Sequence, residues 1–219
     1  MSDLASRLAA LSPAKRELLA RRLQGRLPLE DLQGIPRRTG AGPVPLCLAQ
    51  ERLWFLNQLQ PDSVAYNISQ ALKLTGALDL RALRGALDAL LARHESLRTT
   101  FPAVDGKPVQ VVGPAGPFDL PVVDLSGREE AERGPEAQRL VAEEAWRPFD
   151  LSQRPLIRAL LIRFGTDEHV LLLAMHHIIS DGWSMAVLLG ELSALYRAFV
   201  CGGQPALREL PIQYADFAL

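Results

Sequence analysis

The chain has 219 residues, is 48% hydrophobic and carries a formal charge of −1 at pH 7. That length allows one large domain or two small ones, and the charge offers no electrostatic footprint for nucleic acid. No apolar run approaches membrane-spanning length, the early charges rule out a secretory leader, and the distant Cys47 and Cys201 fit a reduced, cytoplasmic protein better than a disulfide scaffold.

Residues 1–25 read as helix. Leu4, Leu8 and Leu11 form a short stripe, Ser12-Pro13 is a fresh start signal, and Leu18, Leu19 and Leu23 follow before Gly25. Residues 26–45 read as linker, because Gly34, Pro36, Gly40, Gly42, Pro43 and Pro45 work against regular structure. Residues 1–45 are therefore expected to be an N-terminal helix and linker resting loosely on the remainder of the chain. The other reading is a contact helix for an upstream protein.

Residues 46–60 predict a helix with Leu48, Leu53, Leu56 and Leu59 on its apolar face, ended by Pro61. Residues 67–75 alternate towards strand and stop at Gly76. Asp79 caps a helix with Leu80, Leu83, Leu87, Leu90 and Leu91 on one face. Its charged end, Arg93-His94-Glu95, turns into a β-favouring run that reaches Phe101. Short strands follow at 109–112 and 121–125, broken by Asp-Gly and Gly-Pro turns. Residues 129–147 are polar and helical, with Leu140, Val141 and Trp146 as anchors. Residues 156–164 form a strand, and Gly165-Thr166-Asp167-Glu168 turns it into a hairpin.

The hairpin's second strand, Val170 to Met175, is short and continuously apolar, so it reads as buried on both faces. It runs into His176-His177. Residues 183–200 then read as an amphipathic helix carrying Met185, Leu188, Leu189, Leu192, Leu195, Tyr196 and Phe199. The histidines thus sit at a strand's carboxyl end, where α/β folds usually bind ligands. Extended chain points successive side chains to opposite faces, so one histidine at most faces a given cleft. Histidine titrates near neutrality and moves protons under mild conditions. The bland reading is two structural histidines. A metal pair is disfavoured, because His94 and His169 have no cysteine or carboxylate at ligand spacing. Asp181 is either the N-cap of the following helix or a buried carboxylate that needs an arginine. Gly182 would allow a sharp turn, and its amide, at the positive helix end, favours an anion.

The run His176-His177-Ile178-Ile179-Ser180-Asp181-Gly182 resembles the signature of condensation domains of nonribosomal peptide synthetases, within the chloramphenicol acetyltransferase-like superfamily. Three further stretches carry the resemblance. Ala49, Gln50, Arg52, Leu53, Trp54 and Leu56 match a first motif, with Cys47 standing where the family usually has a small hydroxyl residue. Arg93-His94-Glu95-Ser96-Leu97-Arg98-Thr99-Thr100-Phe101 matches a second. Tyr214-Ala215-Asp216-Phe217-Ala218 resembles a fourth.

The resemblance implies an α/β fold: an α+β sandwich in which helices flank a mixed β-sheet. It makes residues 46–219 the N-terminal lobe of a condensation domain, with a second lobe to follow. It implies acyl transfer from a thioester donor to an amine acceptor, both on phosphopantetheine arms, and no cofactor bound by this lobe. The implied partners are donor and acceptor peptidyl carrier proteins, the second lobe and adjacent synthetase domains, with no nucleic acid, membrane or metal. His177 is implied as the residue at the reacting centre, Gly182 as a secondary oxyanion candidate and His176 as its structural neighbour. Asp181 is expected to pair with Arg98 first and Arg93 second. The two histidines and Asp-Gly-Trp-Ser resemble domains joining two L-aminoacyl groups more than epimerising or heterocyclising relatives. Two other readings stand: a coenzyme A-dependent acyltransferase of the same superfamily, and a non-catalytic scaffold or carrier-docking lobe.

Overall fold

A computed structural model describes residues 34–40 and 42–219. The helix expected over 1–25 lies outside the described residues. The unit Arg37–Leu219 opens with strand β1 (Val44–Pro45), so the linker reading is corrected at its end. Pro45 is tolerated there because β1 pairs on one side with β5. Helix α1 (Leu48–Leu59), strand β2 (Asn67–Thr75) and helix α2 (Leu80–Arg93) follow. The Asp79 carboxylate accepts from the amides of Arg81 and Ala82, the N-cap expected of it. A 3₁₀ turn (Glu95–Arg98) leads into β3 (Thr99–Thr100), β4 (Ala103–Val104) and β5 (Lys107–Val112). Strand β6 (Val122–Asp124), helix α3 (Glu130–Ala145), the hairpin β7 (Ile157–Arg163) and β8 (Glu168–His176), helix α4 (Gly182–Val200) and the short α5 (Tyr214–Phe217) complete the unit.

The main sheet has the order β2-β8-β7-β6. Its β2–β8 and β7–β8 pairs are antiparallel and β6–β7 is parallel, so the sheet is mixed. The apolar run of β8 is buried on both faces because helices cover both. Leu171, Leu173 and Met175 join α2 and α4 in the larger core, while Leu172 joins α3 in a smaller one. Each such leucine, fully buried, contributes about 2 kcal/mol. The register places Asn67 of β2 opposite His176, which fixes where β8 ends.

Two expected faces differ. On α1, Leu48 is 84% exposed and Leu59 62% exposed, while the buried positions are Gln50 and Asn57. Leu53 does pack against the core and Leu56 is half-buried, so the leucine stripe is right at its middle and wrong at its ends, where Gln50 and Asn57 turn inward instead. Trp146 is exposed rather than an anchor, since α3 ends at Ala145 and the chain turns away. Arg158 of β7 fills that place. Its guanidinium lies 3.6 Å over the Phe149 ring, pairs with Glu144 and donates to the carbonyls of Pro148 and Arg147. Burial pulls its pKa down despite Glu144, the expected direction for a desolvated cation.

Candidate active site

The histidine loop begins where β8 gives up its ladder. The His177 amide still donates to the Tyr66 carbonyl at 2.8 Å, and then the chain turns. Ile179 and Ser180 donate back to the carbonyls of His176 and His177. The two rings part, as alternation requires. His176 is only 1% exposed; His177 is exposed.

Inside, His176 lies edge-on to Phe149 at 6.3 Å, and its Nδ1 accepts the Ile178 amide at 3.1 Å. Burial, helped by the nearby His177, pushes its pKa down to about 4. It is therefore neutral at neutral pH, with its proton on Nε2, since Nδ1 acts as an acceptor. Outside, His177 Nδ1 contacts the Ser180 carbonyl at 2.7 Å. A carbonyl only accepts, so Nδ1 carries the proton and Nε2 of the neutral ring holds a free lone pair.

His177 borders a cleft of about 370 Å³ whose wall includes Gln50, His94, Asp181, Trp183, Val187 and Tyr214. Trp183 stands 81% exposed at the first turn of α4. Among the described residues, no group of three His, Cys, Asp or Glu side chains is arranged to hold a metal.

The expected ion pair of Asp181 is corrected. Asp181 is exposed and caps α4, accepting from the Ser184 amide at 2.7 Å and hydroxyl at 2.6 Å. Those Ser184 bonds hold its carboxyl below the usual range. Arg98 does not reach it: its Nη1 donates to the Gly113 carbonyl, and its Nη2 is 3.8 Å from Glu95. Arg93 bonds Glu191 of α4 at 3.1 Å and the Arg208 carbonyl at 2.6 Å. The N-cap reading of Asp181 describes the geometry, because an exposed carboxylate at a helix start already has its donors. Gly182 avoids the left-handed region, and an added Cβ there would meet no atom within 4 Å, so no turn demands glycine.

The loop is instead clamped by side chains to which the sequence alone assigns no such role. Gln50 Nε2 donates to Gln110 at 3.2 Å and the Ile178 carbonyl at 3.5 Å, tying α1 to the histidine loop. His94 Nε2 meets Glu191 at 2.6 Å, tying the end of α2 to α4. Gln213 accepts from the Glu95 amide and donates to the Arg93 carbonyl. Arg38 bridges Glu95 at 2.5 Å and Asp216 at 3.1 Å. Tyr214 contacts Cys47 at 3.3 Å, and burial first, then the thiol, pushes its hydroxyl up to about 12. Gln50, His94, Glu95, Tyr214 and Asp216 lie in the motifs that carry the resemblance, whereas Arg38, Glu191 and Gln213 carry no sequence signal.

Comparison with known proteins shows the family. The condensation-domain family model matches residues 41–219. The chain belongs to the condensation-domain family. It is 51% identical over 187 residues to one of the linear gramicidin synthase proteins of Brevibacillus parabrevis, covering 85% of this chain and 2% of that protein. It is 46% identical over 219 residues to phosphinothricin tripeptide synthetase PhsC of Streptomyces viridochromogenes, covering 100% of this chain and 20% of that protein. This condensation-domain chain thus spans a small part of those curated relatives. Among solved structures, the starter condensation domain of rhizomide synthetase superposes with a TM-score of 0.72 at 26% identity, over 78% of this chain and 43% of that one. The X-domain from teicoplanin biosynthesis gives 0.74 at 36% identity, over 84% and 39%. The α/β fold with helices on both faces of a mixed sheet is the one these structures share. Among the described residues of this condensation domain, no helix is long and apolar enough to cross a membrane.

Proposed function

We propose that residues 46–219 are the N-terminal lobe of a condensation domain that forms a peptide bond, with L-configured donor and acceptor, once the second lobe completes the chamber. The observation that carries this is His177, exposed in the cleft with Nδ1–H fixed on the Ser180 carbonyl and Nε2 free. The acceptor amine nitrogen attacks the thioester carbon of the donor. A C–N bond forms, Nε2 takes the amine proton or holds it by hydrogen bonding, the C–S bond breaks, and the thiolate leaves to be protonated. Both substrates arrive on phosphopantetheine arms of carrier proteins, so this lobe itself needs no bound cofactor. Positioning two tethered ends is worth on the order of 7–11 kcal/mol at best. Gly182 serves as the secondary oxyanion candidate, because its amide lies in the first turn of α4. His176 supports the loop from inside. Asp181 orders the start of α4, and Arg93 fixes α2 against α4.

The test is single-turnover peptide-bond formation with carrier-loaded donor and acceptor. It compares this chain, a version extended through the second lobe, and the extended version with His177→Ala. Turnover by the extended parent alone supports the reading. Equal turnover with His177→Ala removes His177 from the chemistry.

A docking role is the second reading. A teicoplanin X-domain structure, 34% identical to this chain, is a complex with OxyB. Carrier binding by the extended version without any turnover would move that reading ahead.

A further inference from the structure

A second cleft, of about 390 Å³, backs onto the histidine cleft, with Leu97 in the wall of both. Residues 114–121, the 147–155 segment and the start of β7 border it. Its lining holds four guanidiniums, Arg98, Arg147, Arg154 and Arg158, and two carboxylates, Asp119 and Glu144. Glu144 is already engaged by Arg158 and, at 3.2 Å, by Arg147. Arg98 and Arg154 are not answered in the same way. Among the described residues, Arg154 forms no ion pair. Arg98 reaches one carboxylate, Glu95, at 3.8 Å, and Glu95 is held by Arg38 at 2.5 Å.

Among the described residues, each of these two arginines donates to a single carbonyl, Arg98 to Gly113 and Arg154 to Pro114. Arg98 Nε is buried with no acceptor among the described residues. A guanidinium carries five N–H donors, so most of both forks is unused. They also converge: Arg98 bonds the Gly113 carbonyl, and a Cβ added at Gly113 would collide with the Arg154 guanidinium. Arg98 is partly buried and Arg154 is exposed, so an anion beside residues 113 and 114 would meet donors of both guanidiniums. The rest of the wall includes Leu91, Phe118 and Ile157, which offer an apolar surface.

We infer that this cleft is an oxyanion-binding site that takes a carboxylate or phosphate group joined to a small apolar body. The planar forks of Arg98 and Arg154 suit bidentate oxyanions, and the volume lies in the range of small-ligand sites. Asp119, exposed at the rim, repels a second anionic group and so favours ligands with a single oxyanion head.

The experiment is an amide-shift titration of the full chain with inorganic phosphate and, separately, with octanoate, at constant ionic strength held by chloride. Saturable shifts are expected at Gly113, Gly116 and Phe118. Tighter octanoate binding identifies a carboxylate with an apolar body; tighter phosphate binding identifies a phosphate ester. Arg154→Ala removes an exposed side chain and is expected to weaken binding at least about tenfold. Gly113→Ala pushes the guanidinium aside and is expected to act in the same direction, and it decides the matter if Arg154→Ala does not fold. Shifts reproduced by chloride, shifts centred on the histidine cleft, no saturation with either probe, or undiminished binding in both variants would each overturn the assignment.

Discussion

His176 should make the fold acid-sensitive in a way that one substitution removes. Its pKa is pushed down to about 4 by burial. The unfolded chain returns it to about 6.5. Between those values the unfolded state binds a proton that the folded state refuses, so stability falls as pH falls from about 6.5 towards 4. The full difference is about 3 kcal/mol. Between pH 7 and pH 5 the linkage relation gives a loss of about 2 kcal/mol. His176→Asn is the informative variant, since its Oδ1 replaces Nδ1 as acceptor for the Ile178 amide without titrating. Urea unfolding at both pH values on parent and variant isolates this contribution from the carboxylates they share. The parent should lose about 2 kcal/mol more than His176→Asn. Equal losses in the two proteins would refute the buried neutral imidazole.

Asp181→Ala should cost about 1 kcal/mol in urea unfolding, the usual value of an N-cap; a loss of about 3 kcal/mol or more would reveal a buried charge partner. The Asp181 contribution should persist above the ordinary carboxylate pKa and fade as pH drops through the depressed folded value. Cys47→Ser should stabilise by roughly 0.5 kcal/mol, because Cys47 is the N-cap of α1 and a hydroxyl accepts from helix amides better than a thiol. Arg158→Leu should cost about 3–5 kcal/mol, since Glu144 and the carbonyls of Arg147 and Pro148 lose their donor; calorimetry showing an unchanged Tm would contradict that role.

Long periodic elements are legible in the sequence. Strand β2 and helix α2 fall where alternation, leucine spacing and the Asp79 cap put them. So does the hairpin into the histidines, because a short, wholly apolar run has few ways to bury itself. Helix α1 is legible as a helix but only partly in its orientation: Leu53 faces the core as expected, while Leu48 and Leu59 do not. Periodicity ranks residues by apolarity, and Gln50 is inside for its hydrogen bonds. The clamps around the histidine loop are invisible for a different reason. Glu191, Gln213 and Arg38 act across distances in sequence that no local pattern encodes. Arg98 turns to a different neighbour from the one expected because composition supplies many possible ion pairs and only geometry chooses between them.

The Arg38 bridge bears on the order in which the molecule can assemble. Arg38 and Asp216 meet across a sequence separation of 178, and Gln50 reaches Ile178 across 128. Contacts this remote must close large loops before they return any energy, which places them late in folding and slows it. The sheet around β8 has the nearer hairpin partner β7 and can form before them. On a ribosome, the helix α1 side of the histidine loop must wait for Ile178, and the second half of the Arg38 bridge for Asp216. The histidine loop is then among the last parts of this unit to settle, after the core beneath it has formed.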